Sequence, residues 1–166
     1  MVCLGNICRS PLAEGIFRKQ VRLRGLDWEV DSAGTGNWHA GETPDPRSMQ
    51  IARQQGLDIS DQRARQLRRS DLSTFDYIFA MDRSNLRHIL ELATNKEQRS
   101  RVHLFLHYSG SAIDADVPDP YWNDNGFQEV YHMLDQASHQ VIDRISKETL
   151  EKSRKDKVII QLSTDQ

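Results

Sequence analysis

At 166 residues the chain is long enough for one domain with a single core, and it needs neither disulfides nor metals to hold that core. Charged residues make up 28% of it, with both signs interspersed and a net charge of −2, which excludes a global basic field for nucleic acid. No apolar run approaches the roughly 20 residues of a membrane-spanning helix and the N-terminus lacks the regions of a signal peptide, so the reading is cytoplasmic, with no membrane partner.

In chain order, a loop over residues 3–10 leads into a helix over residues 11–23, stopped by Gly25. A strand is expected over residues 28–31. A second helix follows Pro46, carries Met49, Ile51 and Ala52, and ends at Gly56. The β-rich run at residues 76–81 predicts a strand buried on both faces. Asp82 or Ser84 caps a third helix bearing Leu86, Ile89, Leu90 and Leu92, after which residues 102–106 make another strand. The last helix, from Phe127 to about Lys152, places Val130, Leu134, Ala137, Val141 and Ile145 on one stripe. Strands alternating with helices predict an α/β fold: a small doubly wound, mainly four-stranded parallel sheet, flavodoxin-like, with helices on both faces and ligands bound beyond the carboxyl ends of the strands. Residues 1–156 read as one domain and 157–166 as a C-terminal extension.

The strongest chemical signal is Cys3-Leu4-Gly5-Asn6-Ile7-Cys8-Arg9-Ser10-Pro11, in which five residues separate a cysteine from an arginine just ahead of a helix. Ser10 suits the N-cap and Pro11 the first helical position, so unpaired N–H groups converge on one point and make an anion site. Gly5 lets the backbone approach a ligand, and Asn6 tolerates the left-handed conformation that such a nest requires. The loop from Leu4 through Ser10 can then wrap a phosphate. Arg9 adds a planar fork for two phosphate oxygens. At the bottom of the cradle, Cys3 has helix dipole, amides and Arg9 all favouring its thiolate, and it becomes a nucleophile. The Ser10 hydroxyl can donate to that sulfur and ease its departure. Cys3 and Cys8, the only cysteines, lie too close together for a useful structural staple, and a reducing compartment keeps them as thiols.

These residues resemble the signature loop of the low-molecular-weight protein tyrosine phosphatases, and the similarity runs over nearly the whole chain. Asp31-Ser32-Ala33-Gly34 with Trp38, the run Pro44-Asp45-Pro46-Arg47, and Asp119-Pro120-Tyr121-Trp122 occur in the order and approximate spacing of that family. The resemblance implies Cys3 as nucleophile, Arg9 as phosphate clamp and Asp119 as general acid. It also implies a reversible disulfide between Cys3 and Cys8 under oxidants, and Ser32 as the brace of Asn6. Where the family often has a histidine ahead of a basic-Ala-Arg-Gln run, this chain has Gln62.

The chemistry of ester cleavage points to the same acid, because a phenolate leaving group needs a proton. Pro118 and Pro120 hold the loop around Asp119, while Ile7, Trp38, Tyr121 and Trp122 would line a deep slot for an aryl ring. The expected partners are phosphotyrosine-containing proteins or peptides, and phosphate or other oxyanions at the loop. No histidine pair has metal-ligand spacing; His132 and His139 stand two turns apart, so no metal and no cofactor are expected.

Taken singly, Cys3 reads as a small buried hydrophobe, Arg9 as a surface charge and Asp119 with Pro120 as a turn; their combination reverses those readings. Two other functions remain: an arsenate reductase relying on an external thiol, since no cysteine follows Cys8 to pass a disulfide onward, and a phosphoprotein-binding module without turnover. The presence of both Cys3 and Asp119 argues against the second.

Only Met1 and Val2 precede Cys3, whereas in relatives an apolar strand leads into this loop. Without it a parallel sheet has an unfilled slot and unpaired backbone groups. Either the true start lies upstream, or the structure compensates. Residues 157–162, Lys157 to Leu162, read as a strand that would run beside the others as a replacement, or else belong to an exposed tail.

Overall fold

The computed structural model describes residues 1–110 and 116–164. The elements run β1 (Val2–Cys3), α1 (Arg9–Leu23), β2 (Ala33–Gly34), α2 (Pro46–Gln54), α3 (Asp71–Thr74), β3 (Ile78–Ala80), α4 (Arg83–Leu92), α5 (Lys96–Ser100), β4 (Val102–Leu104), α6 (Phe105–Tyr108) and α7 (Gly126–Thr164). The strands form one parallel sheet in the order β2-β1-β3-β4. This is the doubly wound α/β arrangement expected from the alternation of elements.

The two-residue period of a strand divides the core between the two faces of the sheet. Cys3, Phe79 and Met81 join Leu12, Ile16 and Phe17 of α1 and Val130, Leu134 and Val141 of α7 on one face. Val2, Ala33, Ile78 and Ala80 pack on the other face with Leu72 of α3 and Ile89 of α4. The apolar stripe predicted on the last helix is buried throughout, with Val130, Leu134 and Val141 fully inaccessible.

Several boundaries differ from expectation, each for a tertiary reason. No strand forms over residues 28–31; pairing starts at Ala33, because Met1 and Val2 are the residues that offer a ladder partner there. The strand expected over residues 76–81 shrinks to β3, and that over residues 102–106 yields at Phe105 to α6. Helix α1 starts two residues before Pro11, with Cys8 rather than Ser10 at the N-cap and no side chain capping it. Ser10 is inside the helix because its hydroxyl is engaged at the loop. Residues 157–162, read as a strand, continue α7 instead. Extending an existing helix needs no new nucleus, which outweighs the β preference of Val158, Ile159 and Ile160.

Candidate active site

The loop between β1 and α1 is turned inside out by its surroundings. The carbonyls of Cys3 and Leu4 accept from the amides of Thr35 and Gly36 (2.9 Å each), and that of Ile7 accepts from Asp45 N–H at 2.8 Å. The Cys8 carbonyl accepts from the Ser48 hydroxyl at 3.2 Å. With its acceptors drawn outward, the loop keeps the amides of Gly5, Ile7, Cys8 and Arg9 without a protein partner among the described residues. Such a set of inward N–H groups at a helix start is an anion nest. Asn6 makes the turn possible at φ 56°, the only left-handed non-glycine residue among those described.

Cys3 Sγ lies against this ring, accepting from Asn6 N–H at 3.3 Å and standing 3.1 Å from Ser10 Oγ. A network behind the loop holds it in place. The Asn6 amide donates to Ser10 Oγ (2.8 Å) and Ser32 Oγ (2.9 Å), and its oxygen accepts from Arg65 N–H at 2.9 Å. Ser32 thus stands where the resemblance set it, and its own hydroxyl donates to Glu14. Glu14 was not foreseen. It is 3% exposed on α1, and burial raises its pKa against the opposing pull of Ser32 and Arg18. A lone acid within the apolar run Leu12 to Phe17 was the available signal. Gln62 does not reach this network: its amide donates to the Pro11 carbonyl at 3.2 Å, so it braces the start of α1.

Arg9 is 3% exposed and is aimed by three acceptors: Asp82 at 2.6 Å, the Val117 carbonyl at 3.0 Å and Asp119 at 3.1 Å. Burial opposes its charge, but the negative groups Cys3, Asp119 and Asp82 outweigh that and raise its pKa. Asp82 was expected only as a helix cap. It does both jobs, one oxygen accepting from Asn85 N–H at 2.7 Å and the other from Arg9. Asp119 keeps its second oxygen on the Tyr121 amide at 3.1 Å. The loop carrying it is tied down by Arg47, which donates to the Tyr121 carbonyl (3.1 Å) and to Asp124 (2.6 Å) while paired with Asp45 (2.8 Å).

Above the sulfur is a slot of about 290 Å3 lined by Cys3, Leu4, Gly5, Ile7, Cys8 and Arg9 with Trp38, His39, Asp119, Tyr121 and Trp122. Ile7 is buried toward its floor, and the aromatic residues stand at its rim, Trp122 being 90% exposed. The structure therefore gathers the expected nucleophile, clamp, acid and aromatic residues around one opening, while Asn6, Ser10 and Ser32 stand behind the loop as supports. His39 is an addition: it packs on Gly5, where a Cβ would lie 3.0 Å from its ring, and its Nδ1 is 2.7 Å from Glu42. Burial, with negative charge on Asp45, Cys3 and Asp119, pushes the Cys8 thiol up to about 12.

Gly34 sets the distance between β2 and the loop. A Cβ there would fall 2.8 Å from the Leu4 carbonyl oxygen and 3.1 Å from the Asn6 nitrogen, both backbone atoms that cannot swing aside. Gly34→Ala is expected to destabilise the fold by about 1–3 kcal/mol, lowering Tm by several degrees in a thermal melt, and to weaken phosphate binding.

A family model described as "Low molecular weight phosphotyrosine protein phosphatase" matches residues 1–153. A relative from Schizosaccharomyces pombe named "Low molecular weight phosphotyrosine protein phosphatase" is 42% identical over 149 residues, covering 87% of this chain and 94% of its own length. The crystal structure of YfkJ from Bacillus subtilis superposes with a TM-score of 0.83 at 42% identity, covering 89% of this chain and 92% of that one. A protein tyrosine phosphatase from Entamoeba histolytica, solved with Hepes in its active site, gives a TM-score of 0.83 at 32% identity, over 89% of this chain and 96% of its own.

Proposed function

This chain belongs to the low molecular weight phosphotyrosine protein phosphatase family, hydrolases that work through a phosphocysteine, and we propose that its chemistry is carried by Cys3, Arg9 and Asp119. Cys3 Sγ attacks phosphorus in line with the ester oxygen. The amides of Gly5, Ile7, Cys8 and Arg9, together with the Arg9 guanidinium, hold the three equatorial oxygens as charge spreads over them. The P–O bond breaks while Asp119 gives its proton to the leaving phenolate. Asp119, now a carboxylate, takes a proton from water as that water attacks the phosphocysteine, releasing phosphate and restoring the sulfur anion. Ser10, 3.1 Å from Sγ, supports the departing sulfur.

The observation that carries this reading is the convergence of Asn6 N–H and Ser10 on one sulfur, with the buried, thrice-anchored Arg9 close enough for charge on that sulfur to raise its pKa and Asp119 hydrogen-bonded to that same arginine. Substrates are phosphotyrosine-containing proteins or peptides. The slot sets an aromatic rim above a recessed sulfur, which suits an aryl phosphate and leaves a short phosphoserine out of reach. No helix among the described residues is long and apolar enough to cross a membrane, and the thiol chemistry suits the reducing cytoplasm.

Hydrolysis of an aryl phosphate by wild type and Asp119→Ala tests the assignment. The variant is expected to lose roughly 10²-fold in kcat, with a smaller loss for esters whose leaving groups need no proton. Equal losses for good and poor leaving groups would remove Asp119 from the acid role. For the second thiol, peroxide converts the Cys3 sulfur to a sulfenic acid, and attack by Cys8 forms the disulfide with release of water. Inactivation by peroxide should therefore be reversed by dithiothreitol in wild type and become irreversible in Cys8→Ser.

A further inference from the structure

Arg47, in the first turn of α2, is not among the residues that line the slot, yet its guanidinium is divided between two loops. Nε and Nη2 donate to the two oxygens of Asp45 (3.0 and 2.8 Å), while Nη1 donates to the Tyr121 carbonyl (3.1 Å) and to Asp124 (2.6 Å). Its central carbon also stands 4.6 Å from the ring centroid of Phe127 and 5.6 Å from that of Tyr121. An ordinary ion pair would be complete with Asp45 alone; the other contacts all go to the loop that carries Asp119.

At one end, Asp45 is 8% exposed and its N–H donates to the Ile7 carbonyl at 2.8 Å, so it is fixed to the phosphate loop. Burial pushes the Asp45 carboxyl up, but the hydrogen bonds from Arg47 outweigh it and hold its pKa below the ordinary value. At the other end, Tyr121 follows Asp119 by two residues, and its N–H donates to an oxygen of that carboxyl at 3.1 Å. Ahead of Asp119 the acid loop is secured by Val117, whose N–H donates to the Met81 carbonyl (2.8 Å) and whose carbonyl accepts from Arg9 (3.0 Å). Behind it, among the described residues, every hydrogen bond that ties residues 120–125 to a residue distant in sequence comes from Arg47; the others are local turns around Asn123 and the Tyr121 bond to Asp119.

We propose that Arg47 is a positioning residue for the general acid: by fixing the far side of the acid loop to the phosphate loop through Asp45, it holds the Asp119 carboxyl over the leaving oxygen. The inference rests on Asp119 being that acid. A proton donor must sit within hydrogen-bond reach of the oxygen it serves, and a misplacement of about 1 Å can cost roughly 10²-fold. Once the Arg9 fork grips phosphate oxygens it has fewer donors left for Asp119, so the Tyr121 N–H, backed by Arg47, carries more of the placement. Arg47 makes no hydrogen bond to the nest amides or to Arg9 among the described residues, and its loss should therefore fall on protonation of the leaving group and not on phosphate binding.

The test is the double variant Asp45→Asn/Arg47→Met of the full chain, which removes the brace without stranding a buried carboxylate and keeps a side chain able to cap α2. With phenyl phosphate, whose leaving group needs a proton, kcat/KM is expected to fall about tenfold. With p-nitrophenyl phosphate, whose leaving group needs none, it should fall less than about threefold, and inhibition by inorganic phosphate should shift less than about twofold. Added to Asp119→Ala, the double variant should cost less than about twofold more, because the group it positions is gone. A merely structural role would lower both esters equally; that result, or a further tenfold loss on top of Asp119→Ala, overturns the proposal. Equal losses for the two esters in Asp119→Ala alone would instead overturn the acid assignment, and the inference with it. Should the double variant fail to fold, Asp124→Ala, which removes a carboxylate that is 84% exposed, loosens only the link to the acid loop. A fall of about two- to threefold confined to phenyl phosphate then supports the proposal, and an unchanged ratio between the two esters overturns it.

Discussion

Cys3→Ser is expected to abolish turnover of aryl phosphates, with kcat falling by at least about 10⁴-fold. The physical reason lies in what surrounds the atom. Sγ accepts from the Asn6 amide at 3.3 Å and faces the Ser10 hydroxyl at 3.1 Å, and Arg9 is close enough for a charge on the sulfur to raise its pKa. Those groups stabilise an anion on sulfur. A serine hydroxyl in the same place gives up its proton far less readily, and the hydroxyl beside it, Ser10 Oγ, is engaged by Asn6 and is no base. The anion nest is untouched, so the variant should still bind phosphate or vanadate and keep its wild-type Tm. Single-turnover mixing with an aryl phosphate would show no burst of phenol. A burst in Cys3→Ser would mean that another nucleophile operates and would end the phosphocysteine assignment for this sulfur.

Arg9→Lys is expected to lower kcat/KM by roughly 10²–10³-fold although the charge is kept. The guanidinium divides its donors among Asp82 at 2.6 Å, the Val117 carbonyl at 3.0 Å and Asp119 at 3.1 Å, and this fixes the plane that meets two phosphate oxygens. A lysine ammonium cannot hold Asp82 and bridge two oxygens together. The change also frees Asp119 from its partner. The loss should therefore appear mainly in kcat, and phosphate inhibition should weaken as well. Asp82→Asn offers the comparison: the fork remains but loses its charged anchor, so a smaller loss is expected, with KM less affected than kcat. If Arg9→Lys left kcat within tenfold of wild type, bidentate clamping would not be a main source of rate.

How far these residues could be read from the chain depends on the range of the interactions that place them. Cys3, Gly5, Asn6 and Arg9 lie within seven consecutive positions; a tight turn before a helix start forces them to converge, and the chemistry follows from spacing. The same holds for the apolar stripe of α7, which is a property of the helix period and is buried as expected. Asp82 and Glu14 were missed as site residues for the opposite reason. Asp82 already had a local job as a cap and Glu14 is one acid on a long helix; their partners Arg9 and Ser32 come from other elements. Arg47 reaches across to Asp124 and the Tyr121 carbonyl in the same manner.

Element boundaries divide along the same line. Helix α2 runs from Pro46 behind an Asp45 cap, both local signals. Strands have no such autonomy, because a strand exists only where a neighbour offers a ladder; residues 28–31 have the composition of a strand but, among the described residues, their only main-chain ladder contact is Asp31 with Met1. Residues 157–162 show the converse: with a helix already running into them, their β preference is overruled. Local order along the chain thus sufficed for the loop from Cys3 to Arg9, the four longer helices and the parallel α/β plan, but not for the short helices α3, α5 and α6. Which carboxylate aims the arginine, where each strand stops and how the loop is braced depended on groups far apart in sequence, since hydrogen bonds and ion pairs form only once the fold has brought both partners within about 3 Å of each other.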